Sequence, residues 1–304
     1  MSEPESKHEP TKYELEVIEQ IKVKQKPAKK KFGTMLSAMK SPLKKAGNLF
    51  SKIPGMDAII QKTNQKFLDF FQDLSKWSVD SERILSEYTK AGYSQIQSTK
   101  DISKLHLEDV EQVIGDLCKK YKTLAGEEEE SSTALSLPSM PSDIIALVNL
   151  NHKAISEYAT YYGFDINKEE EKLFALNILE YASCSNEGAK QEVMNRLIVK
   201  AKKMVGLDQN QSLDKPTFLD MFSTLTSSIT IQLLKAKIGD VIPINGAVIG
   251  SGFNAYFTSE VCDTAEFIYK QRFLAEKYGP QIIDLTLDEE EIENLNEEEK
   301  KHKD

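Results

Sequence analysis

Along most of this chain apolar residues recur at intervals of three and four, the spacing that gathers them on one face of an α-helix. Tyr13, Leu15, Val17, Ile18 and Ile21 predict a short first helix, and Phe32 to Ile53 reads as an amphipathic stretch. Ile59, Ile60, Phe67, Leu68, Phe70, Phe71 and Leu74 predict the next helix, closing near Trp77, the only tryptophan. Asp80 stands as an N-cap ahead of Ile84, Leu85 and Tyr88. Leu107, Val110, Val113, Ile114, Leu117, Cys118 and Tyr121 form one continuous stripe. Ala125–Pro141, with Glu127–Glu130, serines and two prolines, reads as a loop. Ser142 or Asp143 then caps a helix running to Tyr162 and stopped by Gly163. Asn167 with Glu170 resembles a capping box opening a helix through Leu173, Phe174, Leu176, Leu179 and Ala182. Further helices read from Glu187 to Val205, from Lys215 to Ile238, and from about Ile244 to Tyr278, where Gly279-Pro280 ends the last. No run alternates apolar and polar residues between hairpin turns. The expected fold is all-α: a compact multi-helix bundle.

Composition narrows the class without naming a reaction. A chain of 304 residues has room for one large or two modest domains, and its hydrophobic fraction of 40% is compatible with a core. Three cysteines without paired spacing argue against a disulfide framework and fit a reducing compartment. Net charge is −9, which argues against a protein coating nucleic acid over its whole surface. That average hides strong segregation. Ile21 to Met56 holds ten lysines and no acid, a local +10, so the remainder carries −19. Much of the acid lies in Glu127–Glu130 and in Asp284–Asp304, where ten acids face three lysines. Such blocks repel themselves and stay hydrated, and both ends are expected to be mobile. The divisions expected are a polar N-terminal segment (1–28), a basic amphipathic segment (29–56), a helical domain (57–283) and an acidic tail (284–304).

The basic segment carries the clearest chemical suggestion. On a helical wheel Phe32, Met35, Leu36, Met39, Leu43, Ala46, Phe50 and Ile53 share one face, with Lys30, Lys40, Lys44, Lys45 and Lys52 opposite. Large apolar side chains flanked by lysines suit an interfacial helix on an anionic membrane, with Lys29 and Lys31 adding charge at its start. Pro42 favours two short helices hinged near Ser41. Two other readings stay open: the apolar face packs on the protein's own core, or the lysines meet a nucleic acid or acidic partner. Lysine without arginine or interleaved aromatics is a poor base-reading set. Met1–Glu19 has no apolar core of a signal peptide, and Ile238–Phe257, the best spanning candidate, is interrupted by Asp240, Pro243, Asn245 and Asn254.

Ile242 to Arg272 reads IPINGAVIGSGFNAYFTSEVCDTAEFIYKQR. Gly246 and Gly250 lie four apart, which lets another backbone approach closely, and no Lys-Ser/Thr pair follows to make a phosphate loop. Pro243, Gly246, Gly250, Asn254, Ala265 and Arg272 together resemble the signature of the EcsC family of bacterial proteins. Tyr161–Asp165 (Tyr-Tyr-Gly-Phe-Asp) resembles that family's second motif, and the likeness runs from about Asp57 to Gly279. The family is named for a protein encoded beside an ABC transporter. The resemblance implies a helical, membrane-associated protein with a glycine-rich helical hairpin, no catalytic residues to carry over, and a membrane protein or transporter component as a candidate partner. In place of the glycine-rich apolar patch expected ahead of Tyr161, this chain has Glu127–Glu130, so only Ile238–Phe257 is a candidate to dip into lipid.

Catalytic signatures are missing. His8, His106, His152 and His302 are scattered, and Cys118, Cys184 and Cys262 are far apart in sequence and read as buried free thiols. Asp165-Ile-Asn167-Lys-Glu169 imitates a calcium loop but lacks its glycine and terminal glutamate. Asn254 and Arg272 suit either helix packing or a headgroup or phosphate. The expectation is a protein without enzymatic activity or cofactor, at the inner face of the cell membrane, binding an anionic surface and not nucleic acid. A cytosolic module binding a partner or apolar ligand is the alternative, and an unrecognised hydrolase the third.

Overall fold

The computed structural model describes residues 9–24, 53–72, 79–131, 138–184, 187–205, 215–241 and 252–284. The described residues contain helices and no strands: α1 (Lys12–Lys24), α2 (Met56–Gln72), α3 (Ser81–Lys90), a 3-10 helix (Thr99–Lys104), α4 (Leu107–Ile114), α5 (Leu117–Ser131), α6 (Met140–Tyr161), α7 (Glu169–Ser183), α8 (Glu187–Met204), α9 (Lys215–Val241), α10 (Phe253–Tyr278) and α11 (Gln281–Asp284). The fold is an all-α bundle. Two helices form its middle. α6 packs against α2, α5, α7, α9 and α10, and α10 packs against α5, α6, α7 and α8. Both are buried on nearly every side, so neither shows a one-faced apolar stripe. Their core side chains include Ile144, Leu147, Val148, Ile155 and Tyr158 of α6 with Phe257, Val261, Ile268, Phe273 and Leu274 of α10. Each such large apolar side chain, fully buried, contributes about 1.5–3 kcal/mol.

Four local expectations change. The stripe from Leu107 to Tyr121 is broken by Gly115, whose φ of 53° ends α4 and starts a separate helix. The segment read as a loop is partly helical: α5 continues to Ser131 and α6 begins at Met140, with Pro141 in its first turn where a missing N–H costs nothing. Ser139, not Ser142 or Asp143, occupies the cap position, its hydroxyl donating to Asp143 at 3.0 Å. Asn167 does not cap α7 either. Its backbone and side-chain amides both donate to Asp165 Oδ1, closing a local turn, and α7 starts at Glu169. Asp80, by contrast, caps α3 as its sequence suggests, accepting from the Arg83 N–H at 2.9 Å.

The N-terminal boundary also moves. Lys12–Lys24, expected within a polar mobile segment, docks on the bundle with Val17, Ile18 and Ile21 buried. Glu14 fixes it there. Its carboxylate is fully buried and accepts from Lys277 Nζ at 2.8 Å, Tyr278 Oη at 2.6 Å, the Thr11 N–H at 2.9 Å and the Leu107 N–H at 3.1 Å. Leu107 opens α4, whose cap residue His106 offers no side-chain bond, so Glu14 supplies the missing anionic cap from another helix. Residues 25–52, with the whole set Lys29–Lys52, and residues 242–251, with Pro243, Gly246, Gly250 and the expected glycine-rich hairpin, lie outside the described residues. So does the acidic tail from residue 285 onward.

Burial pushes the Glu14 carboxyl up, but the four donors outweigh it and hold it lowered to about 2. A carboxyl depressed in the folded state stabilises above its unfolded pKa, near 4.5, and that contribution is lost as pH falls toward 2. Glu14→Gln should therefore lower unfolding stability by about 1–3 kcal/mol at pH 7. In urea titrations the gap between wild type and variant should narrow steadily from pH 5 to pH 3; a gap that is constant with pH would refute the assignment.

Candidate functional site

Of the sequence-predicted site residues, the structure describes Asn254 and Arg272. Asn254 sits in the first turn of α10, buried, and its side-chain carbonyl finds no partner among the described residues. Arg272 lies deep in the bundle, 2% exposed. Its guanidinium donates from Nη1 to Glu171 Oε2 at 2.8 Å and from Nη2 to Glu171 Oε1 at 2.5 Å, a bidentate pair joining α10 to α7. Three rings enclose the ion: Phe164 at 4.0 Å, Phe174 at 4.6 Å and Tyr269 at 5.5 Å from the guanidinium carbon. Burial opposes the charge, yet the Glu171 carboxylate outweighs it and raises the Arg272 pKa. So paired and so buried, the guanidinium ties α10 to α7 within the core.

The Tyr161–Asp165 run converges on the same place, each residue with its own reason. Tyr161 donates from its hydroxyl to Glu87, which is also paired with Arg83, while the Tyr161 carbonyl accepts from Tyr88 at 2.6 Å. Tyr162 packs its ring on Phe273, centroids 6.1 Å apart. Gly163 turns with φ of 88°, and a Cβ there would stand 2.8 Å from the Thr99 carbonyl oxygen, which no side chain tolerates. Phe164 then covers Arg272. Phe164 and Arg272, from two motifs far apart in sequence, thus meet in one buried node.

Facing solvent, α5 and α10 border a cleft of about 540 Å³, lined by Gly115, Asp116, Cys118, Lys119, Lys122, Thr123, Tyr158, Ala255 and Glu266. Ala255, Ser259 and Cys262 follow each other at helical spacing on α10, and these small residues let α5 come close. Cys262 is buried on the same α10 stripe as Ala255 and Glu266, which border the cleft with Cys118, and Lys122, one turn further along α5, adds positive charge. Interaction between the two thiols, together with burial, pushes the Cys262 thiol up, while the same interaction outweighs burial and pulls the Cys118 thiol down. Read as mid-helix on an unbroken stripe, Cys118 gave no sign of this. The Gly115 turn was the missed signal, because it makes Cys118 the second residue of a new helix.

His152 and Cys184 both lie in the core. His152 is fully enclosed, and burial, helped by Lys172 and Lys153, lowers its pKa to about 3, so the ring is neutral. It meets Phe70 edge-on at 6.5 Å. Cys184 is buried and pushed up to about 11. Among the described residues no three His, Cys, Asp or Glu side chains gather as a metal site.

Removing one partner of the α7–α10 ion pair strands the other charge in the core. Arg272→Met should cost about 3–5 kcal/mol, and the double variant Arg272→Met/Glu171→Leu should recover more than half of that loss. Equilibrium urea unfolding checks both, and additive losses would contradict the pairing.

The model of the EcsC protein family matches residues 15–274. Among curated relatives, Protein EcsC of Bacillus subtilis (strain 168) is 23% identical over 200 residues, covering 66% of this chain and 79% of that protein. The uncharacterised protein YdbA of the same organism is 22% identical over 229 residues, covering 72% of this chain and 79% of that one. No solved structure matches the chain. The family match takes in α2 to α9, nearly all of α10 and most of α1, including both halves of the Arg272 node, and the chain belongs to the EcsC protein family.

Proposed function

We propose that this protein is a non-enzymatic accessory protein that binds peripherally to the anionic inner face of the cell membrane through residues 29–52. The observation that carries the reading is the run of ten lysines without an acid between Ile21 and Met56, interleaved with Phe32, Leu36, Met39, Leu43 and Phe50. Each lysine near an anionic surface contributes about 1 kcal/mol, and the apolar face adds its own burial. Two features support it further. No helix among the described residues is long and apolar enough to cross a membrane, in keeping with a contact made from one side. The segment also begins after α1 and ends before α2, both packed on the bundle, so a contact made by it would be held against one folded body at both ends. A transporter component or other membrane protein is the partner class in keeping with the family resemblance, reached once the protein is concentrated on the surface.

Co-sedimentation of the full chain with vesicles is the test. Binding is expected to phosphatidylglycerol-containing vesicles, weakly or not at all to phosphatidylcholine, and to fall as salt rises. Replacing Lys40, Lys44 and Lys45 with Glu should weaken binding by about a hundredfold or more, taking ~1 kcal/mol per lysine lost. Exchanging residues 27–52 for a Gly-Ser linker, which leaves the α1 contacts intact, should abolish it. A protein that stays in the supernatant with every vesicle and salt would overturn the proposal in favour of a cytosolic partner-binding module.

A further inference from the structure

We infer that Cys118 and Cys262 form a peroxide-responsive dithiol that closes to a disulfide across the α5–α10 interface. Four observations lead there, independent of the membrane reading. The two thiols lie on closely packed helices: Cys262 sits on the α10 stripe between Ala255 and Glu266, which border the cleft together with Cys118, and each thiol shifts the other's pKa. Only one of them is open to solvent: Cys118 lines the cleft of about 540 Å³, while Cys262 is fully buried behind it. Cys118 is the second residue of α5, where the unpaired N–H groups of a helix start favour a thiolate, and Lys122 and the Ser259 hydroxyl add to that. Asp263 opposes them, and Tyr158 of α6 borders the same cleft as Cys118. The small residues Ala255 and Ser259 on the facing helix keep the two backbones close, which a disulfide with its Cα separation of about 4.4–6.8 Å requires.

The division of labour follows from exposure. The Cys118 thiolate attacks one oxygen of hydrogen peroxide; an S–O bond forms, the O–O bond breaks, and hydroxide leaves and takes up a proton as water. Cys118 is now a sulfenic acid. The Cys262 sulfur attacks it, an S–S bond forms, the S–O bond breaks, and the hydroxyl leaves as a second water with the Cys262 proton. Peroxide is reduced by two electrons and the two thiols are oxidised. The low-pKa, cleft-lining thiol is the one that reacts first, and the buried one resolves it. Cys184, buried on α7's C-terminal side and without a thiol neighbour, is the internal control.

The experiment is hydrogen peroxide treatment of the reduced full chain, followed by thiol counting in denaturant and peptide mapping by mass spectrometry. Free thiols are expected to fall from three to one per chain, with a Cys118–Cys262 cross-link inside one chain, Cys184 still alkylatable, and all three thiols restored by dithiothreitol. Cys262→Ser should accumulate the Cys118 sulfenic acid, captured by dimedone; Cys118→Ser should leave Cys262 reduced; Cys184→Ser should close at the wild-type rate. Far-ultraviolet circular dichroism confirms that each variant is folded. Oxidation of Cys184 as fast as Cys118, over-oxidation of Cys118 with Cys262 still reduced, or disulfides found only between chains would each overturn the inference.

Discussion

A guanidinium in the middle of a helical bundle costs several kcal/mol in lost hydration unless a carboxylate meets it squarely, and here Glu171 meets Arg272 with two parallel hydrogen bonds inside an aromatic cage. That requirement allows one axial register of α10 against α7. The register in turn decides what the rest of α10 presents. Three turns toward its N-terminus it presents Cys262 to Cys118 on α5, and at its C-terminal end Lys277 and Tyr278 to Glu14 on α1. A second buried pair, Lys190 with Glu260, joins α8 to the same helix. One helix, held by ion pairs on one side, thereby organises the thiol pair and the N-terminal strap on the others.

The strap bears on the proposed membrane contact because it holds the chain just ahead of the basic segment on the bundle. Without Glu14, α1 would keep the burial of Val17, Ile18 and Ile21 and the Tyr13–Glu111 hydrogen bond but lose its fully buried polar anchor. With it, the stretch between Lys24 and Met56 leaves and returns to a single body. A lysine-rich, apolar-faced segment so tethered couples any surface it binds to the whole fold. The thiol pair lies elsewhere, at the α5–α10 crossing, and concerns a different chemistry.

What was legible in the sequence was what periodicity encodes. The all-α class, most helix positions, the Asp80 cap and the Gly163 and Gly279 stops follow from side-chain spacing and from residues with one conformational use. The break at Gly115 was not, because Leu107–Tyr121 keeps its apolar period straight through the turn and the two helices share one buried face. Asn167 misled for a related reason: Asn followed by Glu is also what a local turn closed on Asp165 looks like. Long-range pairings were invisible in principle. Nothing local to Glu14 marks Lys277 as its partner, nor Cys118 that of Cys262, since only tertiary packing brings residues 263 and 144 positions apart together. Arg272 was singled out by resemblance, and Glu171 beside it was not, although both stand at the heart of the same node.

The central claim is that residues 25–52 engage an anionic membrane while the helical body keeps its fold. Hydrogen–deuterium exchange of the full chain, with and without phosphatidylglycerol-containing vesicles, tests it most directly. The account predicts new protection confined to residues 25–52, with the exchange of α6, α7 and α10 unchanged. Unchanged exchange in 25–52 on adding vesicles, or protection appearing instead on the body helices, would contradict it.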